Sequence, residues 1–160
     1  MKNFGICVFV LFLSGCVSFQ PSIPIDYVGE KATLSDSYSN HEGSTAHFYV
    51  LTKIDGRSME NSGYRTRVNN QGRGFNMTPY MVSRETTIDE HVFTVAGFVQ
   101  FATDAQGMFG DSMLVVKNVT FKPEANETYT VKGELNKNDS NVWIEDKNGT
   151  KIQGVEESGN

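Results

Sequence analysis

Three histidines, His41, His47 and His91, are the side chains most able to hold a metal or carry a proton in this chain. Zinc ligands cluster in space and often come as closely spaced histidine pairs. His41 and His47 stand apart across Gly43-Ser44-Thr45, a loose spacing that specifies no site. They read instead as one loop histidine and two histidines on half-exposed strand positions. A Ser-His-Asp hydrolase built on a G-x-S-x-G elbow needs a strand-to-helix turn, and no such motif occurs. Glycosidic cleavage needs two converging carboxylates. Glu145 and Asp146 are adjacent, and neighbouring strand residues point to opposite faces. Asp139, Asn141, Asp146 and Asn148 supply hard oxygen atoms of the kind calcium takes. The same residue types bond their own backbone in turns, which is the plainer reading. No cofactor or metal is expected, and no enzymatic activity.

Charge is more informative. All five arginines, Arg57, Arg65, Arg67, Arg73 and Arg84, fall in one window opposed by Glu60 alone, for a local net charge of +4. Arginine makes planar, bidentate contacts with carboxylates and phosphates. The window therefore reads as a loop face for an anionic partner, with Phe75, Met77 and Tyr80 adding an apolar component. The competing reading pairs these arginines with acids elsewhere on the same acidic chain or leaves them simply solvated. Without Lys2 the chain has 13 basic and 19 acidic residues, a net charge of −6, and this acidic balance argues against a nucleic-acid partner, which needs clustered positive charge. Trp143 and Tyr129 read first as core or core rim, with stacking on a carbohydrate as the sharper alternative.

The elements that position these residues begin after a short apolar run. Lys2 precedes ten apolar residues, Phe4 to Leu13, whereas a spanning helix needs about 20. A positive residue followed by a run of this length reads as a secretory signal. The sequence then reads Leu13-Ser14-Gly15-Cys16, an aliphatic residue, two small ones and a cysteine. This resembles the lipobox of bacterial lipoproteins. The resemblance implies cleavage before Cys16 and acyl chains on its thiol, and more than one chain anchors stably. Val17, where aspartate would redirect sorting, implies the outer membrane, facing the periplasm. Cys7 would leave with the signal, so the remaining domain would hold no disulfide and would rely on its core.

Residues 16–25, with Pro21 and Pro24, read as a lipidated tether, 26–154 as one domain and 155–160 as a disordered polar tail. Roughly Ser35 to Ser44 reads as a loop. Thr128 to Leu135 alternates strictly, with Tyr129, Val131, Gly133 and Leu135 on one side, the mark of a strand with one buried face. Ala46 to Ile54, followed by Asp55-Gly56, reads as a strand ending in a tight turn. Glu90 to Phe101, with Gly97 as a bulge, Met113 to Phe121 and Asn141 to Glu145 are further strands. Asn148-Gly149 predicts a hairpin returning through Thr150 to Gln153. Short strands are expected near Tyr64 to Val68 and Phe75 to Tyr80, and no amphipathic helix. The predicted fold is an all-β, single antiparallel β-sandwich, Ig-like or related, with about seven or eight strands.

The order Ala32-Thr-Leu-Ser-Asp, Ile54-Asp-Gly-Arg, Glu90-His91, Phe121-Lys-Pro-Glu, Tyr129-Thr-Val-Lys-Gly, Val142-Trp-Ile-Glu-Asp and Asn148-Gly resembles poorly characterised proteobacterial envelope lipoproteins with a small β-domain. The resemblance implies location and fold more than activity. The expected function is a membrane-anchored, non-enzymatic binding or accessory module of the envelope. It would present its Arg57–Arg84 face to an anionic envelope component or protein. A purely structural lipoprotein and a hydrolase with a loop-built site are the alternatives.

Overall fold

The alternation of Thr128 to Leu135 is realised in full: Tyr129, Val131 and Leu135 are buried while Thr128, Lys132 and Glu134 face water. The computed structural model describes residues 18–158, with side chains to residue 154. The expected signal segment and the lipobox-like Leu13-Ser14-Gly15-Cys16 lie outside the described residues. In chain order the elements are β1 (Lys31–Ser35), β2 (Ser37–Glu42), β3 (Thr45–Ile54), β4 (Arg57–Ser58), α1 (Ser62–Asn69) and β5 (Ser83–Thr87). They continue with β6 (His91–Phe101), α2 (Asp104–Phe109), β7 (Leu114–Phe121), β8 (Thr128–Glu134), β9 (Asn141–Glu145) and β10 (Val155–Ser158). Among the described residues, no helix is long and apolar enough to cross a membrane.

The fold is an all-β sandwich. One sheet has the order β5-β1-β8-β9. The other runs β10-β7-β6-β3-β2, with β4 paired to the end of β3. All pairings are antiparallel except β1 with β8, which run parallel. Leu34, Leu51, Phe93, Val95, Val131 and Ile144 fill the space between the sheets. Among the described residues ten strands stand where about seven or eight are expected, partly because β4 has only two residues and the C-terminal segment also pairs.

β3 is buried on both faces along Phe48 to Leu51, which explains that stretch of consecutive apolar residues. Its second face carries Ala46, Phe48 and Val50, and with Met77 and Ala96 these make a smaller core under α1 and the chain that follows it. The chain from Tyr64 to Val68, expected to be a strand, therefore lies in α1. Its buried residues are Ser62, Gly63 and Thr66. A helix that seats small and polar residues shows no apolar period, so the pattern hides it. Asn61 caps it by accepting from the Tyr64 N–H at 3.1 Å. Phe75 to Tyr80 is not a strand either. Side chains of α1 and its cap bond that backbone instead. Asn70 accepts from the Thr78 N–H at 2.9 Å and donates to the Thr78 carbonyl at 2.8 Å, and Thr66 Oγ1 accepts from the Tyr80 N–H at 2.8 Å.

Further differences have local causes. The expected loop from Ser35 to Ser44 contains β2, an edge strand without a buried face. Gly97 sits in regular register between Tyr49 and Val115. A Cβ there would crowd both side chains, so the glycine permits close approach rather than a bulge. The irregularity falls between Leu51 and Lys53 of β3. Asp55 and Gly56 both have positive φ, 51° and 78°, as a tight hairpin turn requires. The return after Asn148-Gly149 is reduced to one bridge, Glu145 with Lys151. Val155–Ser158, expected in a loose tail, pairs with β7. Pairing uses only backbone, so a polar composition does not prevent it. The expected tether is also joined to the domain: the Gln20 N–H donates to the Ser58 carbonyl at 2.9 Å, and Phe19 packs edge-on against Tyr64.

Candidate binding groove

The five arginines do not form one free face. Arg84 is interior, its side chain 8% exposed, and it meets the fully buried Asp36 through two bonds of 3.0 Å. Asp36 stands between β1 and β2, where the chain leaves one sheet for the other. Its carboxylate also accepts from the Leu51 N–H, the Ser62 N–H and the Ser62 hydroxyl at 2.8–2.9 Å. Arg84 donates further to the Glu60 carbonyl oxygen. This cluster ties β1, β3, β5 and α1 together, with its donors satisfied.

The other four arginines are on the surface. Arg65 on α1 grips Glu60 with bonds of 2.8 and 2.6 Å, and these hydrogen bonds hold the Glu60 carboxyl below its ordinary range against a burial effect of opposite sign. Arg57 lies 4.0 Å from Asp55 and donates to the Pro21 carbonyl at 3.1 Å. Arg73 reaches Thr78 Oγ1 at 3.5 Å. Arg67 meets Asp104 at the start of α2 at 3.3 Å, and both are largely exposed, at 71% and 95%. Such a pair contributes only ~0–1 kcal/mol, so it can open for a competing anion at little cost.

The Arg67–Asp104 pair straddles a groove between α1 and α2. Two adjoining hollows of about 540 Å³ each share Arg67, Gln100, Phe101, Thr103 and Asp104 in their walls. Gly63, Tyr64, Phe98 and Met108 close one end; Asn70, Gly72, Gly74 and Met77 close the other. A Cβ at Gly63 would run into the Phe98 ring, so the bare backbone lets α1 lie close to β6. Gly72 and Gly74 adopt positive φ, 79° and 64°, which glycine takes without strain. They turn the chain along the groove wall. A third hollow beside α2 is mainly apolar, with Phe75, Phe101, Ala105 and Phe109 in its wall. The groove thus offers aromatic and thioether surface, a few amide and hydroxyl groups, and one exchangeable cation.

A second polar assembly joins residues that the sequence keeps far apart. Asp55 Oδ2 lies 2.7 Å from His91 Nδ1, and His91 Nε2 lies 2.7 Å from Thr87 Oγ1. Acid, imidazole and hydroxyl in this order are the parts of a nucleophilic triad. Thr87 is only 6% exposed, however, and its hydroxyl also lies 3.1 Å from Asp89 Oδ2. The assembly closes the short connection from β5 to β6, which crosses between the sheets. Burial raises the Asp55 carboxyl, but the Val92 N–H, His91 and Arg57 outweigh it and hold the group below its usual value. Sequence reading singled out Asp55 for its turn and His91 for its strand, and gave no signal that they meet.

The remaining candidates have plain roles. His41 Nε2 lies 2.8 Å from the Met77 carbonyl oxygen, and His47 Nδ1 lies 3.2 Å from Asn40 Nδ2. Among the described residues, no group of metal-binding side chains comes together. Asp146 Oδ1 accepts from the Asn148 and Thr150 N–H groups, the turn role rather than a calcium role. Tyr129 belongs to the core. Trp143 is half-buried; Lys151 Nζ sits 3.7 Å above its ring, and its indole N–H donates to Glu145 Oε1. Comparison of the chain with family models, with curated proteins and with solved structures finds no match.

Proposed function

We propose that this is a lipid-anchored protein of the bacterial envelope, held at Cys16, whose α1/α2 groove is a non-enzymatic binding surface for an anionic, partly apolar partner. The observation that carries the reading is the groove itself. Phe98, Phe101 and Met108 supply apolar wall, Gln100 and Thr103 supply hydrogen bonds, and Arg67 stands at the rim in an ion pair that an anion can replace. The arginine face of the sequence reading is narrowed accordingly. Arg67 in the groove wall and the exposed Arg73 remain candidates for contact, Arg57 and Arg65 are engaged by Asp55 and Glu60, and Arg84 is withdrawn into the interior. Support for the anchor comes from the apolar run and Leu13-Ser14-Gly15-Cys16. The outer membrane, facing the periplasm, is the location that Val17 favours. The reading needs no cofactor.

Two measurements test it. Intact mass of the membrane-fractionated protein, beside Cys16→Ser, is expected to show acyl chains on a product beginning at Cys16 and none on the variant. A photocrosslinking residue at Met108 is expected to capture an envelope component in cells, while the same residue at Lys132, on the outer face of β8, does not. Equal capture at both positions, or at neither, would count against the groove.

A further inference from the structure

We infer that the partner of this surface is the bilayer that holds the Cys16 acyl chains, so that the α1/α2 end lies on the lipid. The inference rests on the anchoring reading above and adds an orientation and a contact surface to it. The first ground is how the residues next to Cys16 in sequence join the domain. Phe19 stacks edge-on on Tyr64 of α1 with ring centroids 4.8 Å apart. The Gln20 N–H bonds the Ser58 carbonyl, and Arg57 bonds the Pro21 carbonyl. Phe19 is three positions on from Cys16, a reach of at most ~10 Å. A domain docked from Phe19 onward cannot hang far from its acyl chains, and the side it turns to them is the Tyr64 side.

The second ground is what else lies on that side. Tyr64 and Met108 line the same hollow. Met108 is 80% exposed, its neighbour Phe109 is 91% exposed, and Phe75 across the apolar hollow is 67% exposed. None of the residues of α2 is buried, so this helix does not use its methionine and phenylalanine to hold the fold. Large apolar side chains presented to water beside an anchor are the feature of surfaces that enter the headgroup region.

The third ground is charge. α1 and the loop after it carry Arg65, Arg67 and Arg73 to this end of the molecule. The acids nearest the Met108–Phe109 edge are both paired, Asp111 with Lys137 at 2.8 Å and Asp104 with Arg67. When that exposed pair opens, the guanidinium can take a headgroup phosphate in two-pronged fashion. A bilayer rich in anionic lipid offers both the apolar layer and the phosphates.

The test uses the acylated protein in vesicles of phosphatidylethanolamine and phosphatidylglycerol. In the processed chain Cys16 is a thioether, so a cysteine placed at Ala105, exposed beside Phe109, is the single free thiol. An environment-sensitive fluorophore is attached there, and in a second sample at Lys132→Cys. Nitroxide-labelled lipid is expected to quench the position 105 fluorophore at least about twofold more than the position 132 fluorophore, with a blue-shifted emission. Met108→Glu with Phe109→Glu, both at exposed sites, should remove that difference. Equal quenching at the two positions would overturn the inference. So would shielding at position 105 that grows with protein density instead of responding to labelled lipid, since that marks contact with a second copy. Intact mass separates the two readings. Acylated protein with equal quenching removes the orientation alone, whereas protein without acyl chains removes the anchor and the orientation together.

Discussion

Asp36→Ala should be among the most damaging single changes outside the apolar core. The carboxylate is fully buried, and it receives Arg84 twice, the Leu51 N–H, the Ser62 N–H and the Ser62 hydroxyl. Alanine leaves the Arg84 guanidinium, itself nearly buried, without its counter-ion, a change that costs about 3–5 kcal/mol. Two backbone donors also lose their acceptor, so the upper half of that range is expected. Domains of this kind have total stabilities of about 5–15 kcal/mol, and each kcal/mol moves the melting temperature by roughly 2–4 °C at this size. A fall of about 8–16 °C follows for a loss of about 4 kcal/mol. The assay is urea unfolding followed by far-ultraviolet circular dichroism, with the slope unchanged between variants. Arg84→Met alone should cost less, about 1–3 kcal/mol, because Asp36 keeps three donors. Adding Arg84→Met to Asp36→Ala should then recover stability, since the stranded charge is gone. A loss below about 1 kcal/mol for Asp36→Ala, or simple additivity in the double variant, would refute the reasoning.

Two further outcomes follow from polar groups elsewhere in the fold. Thr86 is fully buried on β5 and its hydroxyl finds no partner among the described residues; Thr86→Val keeps the shape, removes the unpaired group and should raise stability by about 1 kcal/mol in the same urea assay, whereas a loss of similar size would mean that the hydroxyl is bonded. Asp55 is held below its ordinary value despite the raising effect of burial, so its contribution is present above the unfolded value near 3.8 and is lost as pH falls through the lower folded value. Asp55→Asn should therefore lower the urea midpoint at neutral pH and flatten its decline in acid; asparagine tolerates the positive φ of this turn, so an unchanged acid decline would show that the carboxylate is not what titrates.

How much of this was legible in the chain depended on what each element buries. β8 and β9 bury alternate apolar residues, so Tyr129, Val131, Val142 and Ile144 announced them. β3 and β6 carry β-branched and aromatic runs and were equally plain. The layer over the outer face of β3 was hidden because it is seated by Ser62, Gly63, Thr66 and Asn70. Those residues act through hydrogen bonds and close approach, and neither leaves a hydrophobic period. β2 was hidden for the opposite reason, since an edge strand without a buried face looks like a loop.

The arginine window shows a different limit. Counted along the chain, five arginines face one acid between residues 57 and 84. Counted in space, Asp36, Asp55 and Asp104 arrive from outside the window and take Arg84, Arg57 and Arg67. Charge segregation in sequence is therefore not charge segregation on a surface, and the useful distinction is how each pair is housed. Arg84 sits in a buried network with its donors satisfied, which fixes structure and leaves it nothing to offer a partner. Arg67 sits in a solvent-screened pair that can exchange its carboxylate for another anion. The same test separates the Asp55–His91–Thr87 assembly from the groove: its hydroxyl is enclosed and bonded within the fold, while the groove presents its polar groups next to exposed Met108. On the proposed reading, contact with a partner falls to the weakly held groups around Arg67, while the tightly held ones keep the sheets and α1 in the positions that make the groove.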